Sequence, residues 1–396
     1  ARNRFASRAD TKGLITNTAI DALLADMYLW RSALREGRDK DSTWWEDDAR
    51  KTIYYCEKSL ENLAKQEQLA SASYGSTTYE TTDYDLSTKY GIANCNLIEN
   101  ETLTTEYNNK QSTVTVTSYE AIFGGQDDRQ GNSSESIFEM QYTNADKRSN
   151  GHVSSFWGYD SESYQLSVSN SAIVKIYASE SDMQKDSRVW YSANVKVSSD
   201  QSDKTQPACL KYTNPSFMLE NGRITADPND ESHVNWIFYR MTDVMLMMAE
   251  AYAVLGTTAD FNKCKAIIDA IHKRSTVGET AAKSEGTNRD AFIKMVMNER
   301  QIELLGEGKR WFDLVRWAER KGGGVNPDPR EPQYMDGAEG VKQMIETFLK
   351  TTYSTMENTL KNRIKNRYGL YCPIYYLEIQ ASKYQIEQNP VWNREK

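Results

Sequence analysis

The chain has 396 residues and a net charge of -8, from 48 Lys and Arg against 56 Asp and Glu. The basic residues are scattered, which argues against a nucleic-acid footprint, and no apolar run approaches the roughly 18 residues that span a bilayer. The length allows one large domain or two ordinary ones. With 24 Tyr and 9 Trp at a mean hydropathy of -0.73, rings are expected at a surface as well as in a core.

Helical periodicity opens the chain. Ile20, Leu23, Leu24, Met27, Trp30 and Leu34 trace one face, with Asn17 or Thr18 placed to cap it. A charged turn follows, and Ala49, Ile53, Cys56, Leu60 and Leu63 trace a second face. Two such helices on a short connection predict an antiparallel hairpin over residues 1–65.

Between 66 and 235 the texture changes to Ser, Thr, Asn, Gly and Tyr. Strand-like pieces begin at Ser112 (STVTVT), Ser136 (SIFEMQY), Ile173 (IVKIY) and Val189 (VWYSANVKV). About 170 residues is too long for a loop. The region is read as an irregular, partly β excursion on a helical scaffold, and binding residues concentrate on such excursions.

Helices return near Tyr239 and occupy 236–320. Met241, Val244, Met245, Met248, Tyr252 and Leu255 form a stripe that Gly256 ends. Asp260 is placed to cap the next helix, whose face is Phe261, Cys264, Ile267, Ile268 and Ile271. A third helix from about Asp290 runs into Asn298–Trp317, NERQIELLGEGKRWFDLVRW. Glu299, Glu303 and Glu307 lie four residues apart on one face of it and repel by a few tenths of a kcal/mol per pair. Such a stripe wants cations, and Arg300, Lys309, Arg310 and Arg316 are near in sequence. Residues 321–396 hold a Gly/Pro-rich loop, one or two polar helices and an extended tail from Cys372 to Trp392.

The five cysteines are far apart, with no C-x-x-C, and His152, His233 and His272 share no ligand spacing, so no zinc site is indicated. The Asp-rich turns at Asp39 to Asp41 and Asp227 to Asp230 lack the ligand spacing of a calcium loop. No cofactor or metal is expected.

The segment Asn298–Trp317 resembles the C-terminal signature of the SusD/RagB family, the nutrient-binding surface lipoproteins of Bacteroidetes. TNTAIDALLADMYLW with WEDDARKTIYYCEKSL resembles that family's central hairpin, which is similar to tetratricopeptide (TPR) repeats. NSSESIFEMQY at Asn132 to Tyr142 is similar to the strand that follows it, and NWIFYRMTDVMLMMAEAYAVLG from Asn235 to its arginine-led helix. The tail resembles the family's ending through Pro373, Ile374, Glu378 and Gln388 to Pro390, with Tyr375 where a second proline is common. Family members normally begin with a lipoprotein signal, an acylated cysteine and further helices. None is visible in ARNRFASRAD, so the lipid anchor is expected outside this polypeptide.

The resemblance implies a mainly α fold: TPR-like hairpins with a large irregular, partly β insertion carrying the ligand surface. It implies a cell-surface protein of the outer membrane with no catalytic residue. Such a protein captures an oligosaccharide, or a peptide in the RagB branch, for a TonB-dependent SusC-like transporter. Rings outside the helical stripes are the expected ligand contacts: Trp44 and Trp45 at an exposed turn, Trp157 and Tyr159 in SSFWGYD, and Trp190 and Tyr191, of which a strand would bury one. Glu299, Arg300, Glu303, Arg310, Trp311 and Asp313 are read as structural, a buried ion and hydrogen-bond network joining two helices. Two readings compete. Glu299 and Glu303 have the spacing of a helical glycosidase pair, though no other catalytic feature accompanies them, and a TPR scaffold would need a regular repeat that the long excursion interrupts.

Overall fold

The computed structural model describes residues 12–38, 42–74, 97–98, 101–107, 110–116, 118–123, 133–142, 173, 176–192, 209, 211–212, 218–220, 223–225, 235–276, 282–322, 335, 339–345, 357–384 and 386–392. Among them the protein is mainly helical, with three two-stranded antiparallel sheets. They fall into two compact units, residues 1–28 with 49–308, and residues 29–48 with 309–396. This division is discontinuous and differs from the four consecutive segments read along the chain. The reason is that the hairpin is long, and its turn end (29–48) groups with the C-terminal helices.

The hairpin is formed by α1 (Asn17–Arg38) and α2 (Trp44–Tyr74). Thr16 caps α1, its Oγ1 accepting from the Ala19 amide at 3.2 Å. In the first unit the helices run antiparallel: the Ser59 hydroxyl donates to the Thr18 carbonyl, Asn62 donates to Asp21, and Tyr28 stacks on Tyr55. The buried face of α2 is largely the expected one, with Ala49, Cys56, Leu60 and Leu63 fully enclosed and Ile53 half-buried. For α1 the expectation is corrected. Its enclosed face is Ala19, Ala22, Ala25, Leu29 and Ala33, while Leu23 and Met27 are exposed. The small side chains are therefore the enclosed ones, and part of the bulky stripe lies outside.

The helix expected near Tyr239 begins at Met241, the first residue of its stripe, and a strand precedes it. Trp236–Arg240 is strand β6, paired antiparallel with β3 (Ser136–Met140). An unbroken run of aromatic and β-branched residues, Trp236 to Tyr239, explains the strand. Phe238 stacks on Phe138, Trp236 stacks on Tyr212, and Ile237 enters a core of Tyr212 with Tyr119, Ile122 and Phe123 of α3 (Ser118–Phe123). The remaining sheets pair β1 (Glu101–Tyr107) with β2 (Lys110–Val116) and β4 (Met218–Glu220) with β5 (Arg223–Thr225). Two short helices lie here, and the second replaces the start of the extended piece expected from Val189. Between α4 (Glu180–Gln184) and α5 (Ser187–Tyr191), Asp186 caps the latter by accepting from the Arg188 amide at 2.9 Å. That cap outweighs the β propensity of Val189 to Tyr191. Ile176 and Tyr177 lie in a turn, not a strand.

Helix α6 (Met241–Leu255) is buried at every residue from Met241 to Val254, so its methionines fill a core all round rather than forming a stripe. Gly256 ends it in the left-handed region at φ 74°, a conformation that favours glycine. Thr257, not Asp260, caps α7 (Thr258–Ser275), and Asp260 returns the bond to complete a capping box. Asn288 caps α8 (Arg289–Glu303), which packs on α6 and α7.

In the second unit α9 (Arg310–Lys321) is buried from Asp313 to Arg320 and packs on α10 (Glu339–Met344). Here Gly37 meets the end of α9 so closely that a methyl group would overlap the Glu319 carbonyl oxygen. After α11 (Glu357–Lys365), the tail is not simply extended, because Tyr376–Ala381 forms α12. The Gln388 amide clamps the Ile374 backbone in both directions, at 2.9 and 2.7 Å, and Asn389 donates to the Tyr368 carbonyl at 2.6 Å.

Candidate functional site

Helix α8 and the turn after it carry Glu299, Glu303 and Glu307, all buried in the first unit. Left alone, three enclosed carboxylates would cost several kcal/mol each. The cations that meet them are not those near in sequence. Arg300 is one residue past Glu299 and therefore about 100° around the helix, where it pairs with Asp243 of α6 at 3.0 Å. The partners come instead from elements brought in by folding: Arg188 of α5, Arg240 closing β6, Arg274 in the last turn of α7, and Lys211.

Glu303 sits at the centre. Its Oε1 accepts from Arg240 at 2.7 Å and from Arg274 at 2.5 Å, and its Oε2 accepts from Arg188 at 3.0 Å and the Tyr119 hydroxyl at 2.6 Å. Glu307 receives a fork from Arg240 and an ammonium from Lys211, each at 2.8 Å. Glu299 lies between Arg188 and His272 Nδ1. Asp186 backs Arg188 at 2.7 Å, and Glu135 backs Arg274 at 2.6 Å while accepting from the Ile98 amide. Five carboxylates thus face three guanidinium groups, an ammonium and an imidazole.

The electrostatics decide what this cluster can do. Burial alone pushes the Glu303 carboxyl up, but Arg274, Arg240, Arg188 and Lys211 together outweigh it and hold the group well below the usual carboxylate range. Burial is likewise outweighed at Glu299 by Arg188 and His272, and at Glu307 by Arg240 and Lys211. Burial in turn pulls the Lys211 ammonium down, against the pull of Glu307. A general acid needs a raised carboxyl within reach of a leaving group. Glu299 and Glu303 are instead enclosed, ionised and saturated with donors, so the glycosidase spacing has no acid to use.

Each unit holds part of the set expected to form a network joining two helices. Glu299, Arg300 and Glu303 bond within the first unit, to α5, α6, α7 and β6. Trp311 and Asp313 bond within the second, where the Trp311 Nε1 donates to the Leu370 carbonyl at 3.2 Å and Asp313 accepts from Arg316 at 2.8 Å. Arg310, half-buried, opens α9.

Of the rings expected to touch ligand, Trp44 is 62% exposed at the start of α2, with the Arg35 guanidinium 5.5 Å from its centroid. Trp45 is half-buried, and its carbonyl accepts from Ser32 at 2.9 Å. Trp190 and Tyr191 close helix α5, not a strand. Trp157 and Tyr159 lie outside the described residues. Trp44 and Trp45 belong to the second unit, Trp190 and Tyr191 to the first.

Other rings were hidden in helical sequence. Tyr28, Tyr54 and Tyr55 form a cluster in the first unit, with Tyr54 46% exposed and ammonium groups of Lys51 and Lys58 over Tyr28 and Tyr54. In the tail Tyr375 and Tyr376 meet edge to face, and both are exposed, as is Tyr384. The only sequence signal for either was the pairing Tyr-Tyr.

With this geometry in place, comparison with known proteins is direct. The family model described as the SusD family matches residues 51–392, and the chain belongs to that family. SusD-like protein P25 of Formosa agariphila is 32% identical over 83 residues, 21% of this chain and 15% of its own length. SusD-like protein P38 of the same organism is 31% identical over 90 residues, 21% of this chain and 17% of its own. Among solved structures, a SusD homolog from Bacteroides thetaiotaomicron superposes with a TM-score of 0.51 at 18% identity, covering 98% of this chain and 63% of that one. A SusD superfamily protein from the same organism gives 0.52 at 15% identity, with the same two coverages. The chain therefore spans about two thirds of the length of the solved proteins that share its fold.

Proposed function

We propose that the protein is a non-catalytic binding protein of the outer-membrane surface. It captures oligosaccharides and passes them to a TonB-dependent SusC-like transporter, held at the membrane by a lipid anchor. Membership of the SusD family over residues 51–392 carries this reading. The charge cluster supports its non-catalytic half, because Glu299 and Glu303, which have hydrolase spacing, are locked in ion pairs. No helix among the described residues is long and apolar enough to cross a membrane.

Titration calorimetry against a panel of oligosaccharides and peptides tests the reading. Saturable heat with an oligosaccharide and no release of shorter products is the expected result. Binding of peptides alone would move the protein to the peptide-capturing branch, and any turnover would overturn the reading. Pull-down of a large β-barrel from outer membranes tests the delivery step.

A further inference from the structure

Beside the charge cluster, in the first unit, lies a cavity of about 220 Å³ with mixed walls. Its apolar side is Tyr177, Met295 and Ile302, and its polar side includes His272, Asn298 and Lys283. The Tyr177 hydroxyl is tied to Asp186 at 2.8 Å, which leaves only its ring to a ligand.

His272 is 6% exposed, yet its ring is only half used. Nδ1 lies 3.2 Å from Glu299 Oε2 and 3.3 Å from Arg188 Nη2, and Nε2 has no protein partner among the described residues. His272 lines the cavity and its Nε2 is not among the fully enclosed nitrogens, so this atom opens onto the cavity, where a ligand can bond to it. Because Nδ1 faces both an acceptor and a donor, either tautomer is served, and Nε2 either accepts or donates. A hydroxyl group answers both. Asn298 spends its Nδ2 on Glu285 at 3.1 Å, leaving its carbonyl oxygen to accept.

Every charge lining the cavity among the described residues already has an opposite charge within 4 Å. Glu299 has Arg188, Lys283 has Glu285 at 3.9 Å, and Asp182 has Lys185 at 3.7 Å. An ionic ligand would find no uncompensated partner. The volume is also below the roughly 300–1,000 Å³ of sites that hold drug-sized molecules.

We infer that this cavity is a binding site for one neutral, hydroxylated ring, a monosaccharide or a single unit of a glycan. Its hydroxyls meet His272 Nε2 and the Asn298 carbonyl, and its carbon face lies on Tyr177, Met295 and Ile302. A sugar is chosen among neutral polyols because the protein is read above as a glycan binder.

The test is nuclear magnetic resonance of the full chain labelled with ¹⁵N-histidine, the His272 signals being assigned by their loss in H272Q. Glucose, galactose, mannose, xylose and N-acetylglucosamine are titrated in, with acetate and glycine as charged comparators. At least one neutral sugar should shift the Nε2 resonance saturably. Ala178→Trp, which fills the cavity, should weaken that sugar at least about tenfold, and Asn298→Ala should weaken it several-fold if the Trp variant does not fold. A silent His272, a shift untouched by the folded variants, or a stronger response to acetate or glycine would each overturn the inference. Calorimetry with oligosaccharides runs in parallel. Oligosaccharide binding with a silent His272 removes this site and leaves capture standing, whereas no glycan binding removes capture.

Discussion

Arg240 grips Glu307 with a planar fork, Nε to Oε2 and Nη2 to Oε1, both at 2.8 Å, while its third nitrogen reaches Glu303 at 2.7 Å. A guanidinium satisfies two carboxylates at once because its donors are fixed in one plane, and an ammonium cannot. Arg240→Met is expected to cost about 3–5 kcal/mol, since it leaves buried carboxylates short of a partner. Arg240→Lys should recover no more than about half of that. Urea unfolding measures both. Full recovery by lysine would mean that charge alone, without the fork, holds the cluster.

The same cluster sets the response to acid. Glu299, Glu303 and Glu307 have folded pKa values below the usual range. Their stabilisation is fully present above the unfolded carboxyl pKa of about 4.3. It is lost as the pH falls from there through the lower folded values. The thermal midpoint should therefore fall steeply below about pH 4. In Glu303→Gln the fall should be shallower from a lower start at neutral pH. An unchanged slope in that variant would remove Glu303 from the account.

Gly37 gives a prediction of opposite sign to the general rule. Gly→Ala within a helix ordinarily stabilises by roughly 0.5–1 kcal/mol. Here the added methyl group would overlap the Glu319 carbonyl oxygen, which is backbone and cannot swing aside. Gly37→Ala should lower stability by about 1–3 kcal/mol, read from the urea midpoint. A stabilised variant would show that α1 and α9 can part at low cost.

Trp44 separates binding from folding. Its ring is largely exposed, and Arg35 is the only cation placed over it among the described residues. Trp44→Ala should change stability by no more than about 0.5 kcal/mol. If the ring is a ligand contact, oligosaccharide affinity should fall about tenfold, the ~1.4 kcal/mol of one stacked ring. Calorimetry of the wild type and the variant decides it.

Much of the scaffold was legible because its signals are local. The stripe Ala49, Cys56, Leu60 and Leu63 named the buried face of α2, and Gly256 named the end of α6. What failed was what depends on a neighbour. Helix α1 buries its alanines, whereas hydropathy alone preferred Leu23 and Met27. The strand β6 looked helical because it runs unbroken into α6, and only β3 reveals it. Helix α5 looked like a strand because no window shows that Asp186 caps it and Arg188 anchors it. The carboxylate stripe was read correctly as needing cations, but Arg188, Lys211, Arg240 and Arg274 are remote in sequence, and spacing says nothing about them. For the ligand contacts, a pair such as Trp-Trp or Tyr-Tyr carries no sign of which ring will face outwards.

The bond between the Tyr119 hydroxyl and Glu303 joins residues 184 positions apart. Those from Glu303 to Arg188 and Arg240 close loops of 115 and 63. Chains dominated by such distant pairings fold slowly, because loop entropy is lost before any contact rewards it. The centre of the first unit therefore cannot assemble as the polypeptide emerges. Until α8 has been synthesised, Arg188, Arg240 and Arg274 have no carboxylate from Glu299, Glu303 or Glu307 to close on, and assembly waits for the last quarter of the chain.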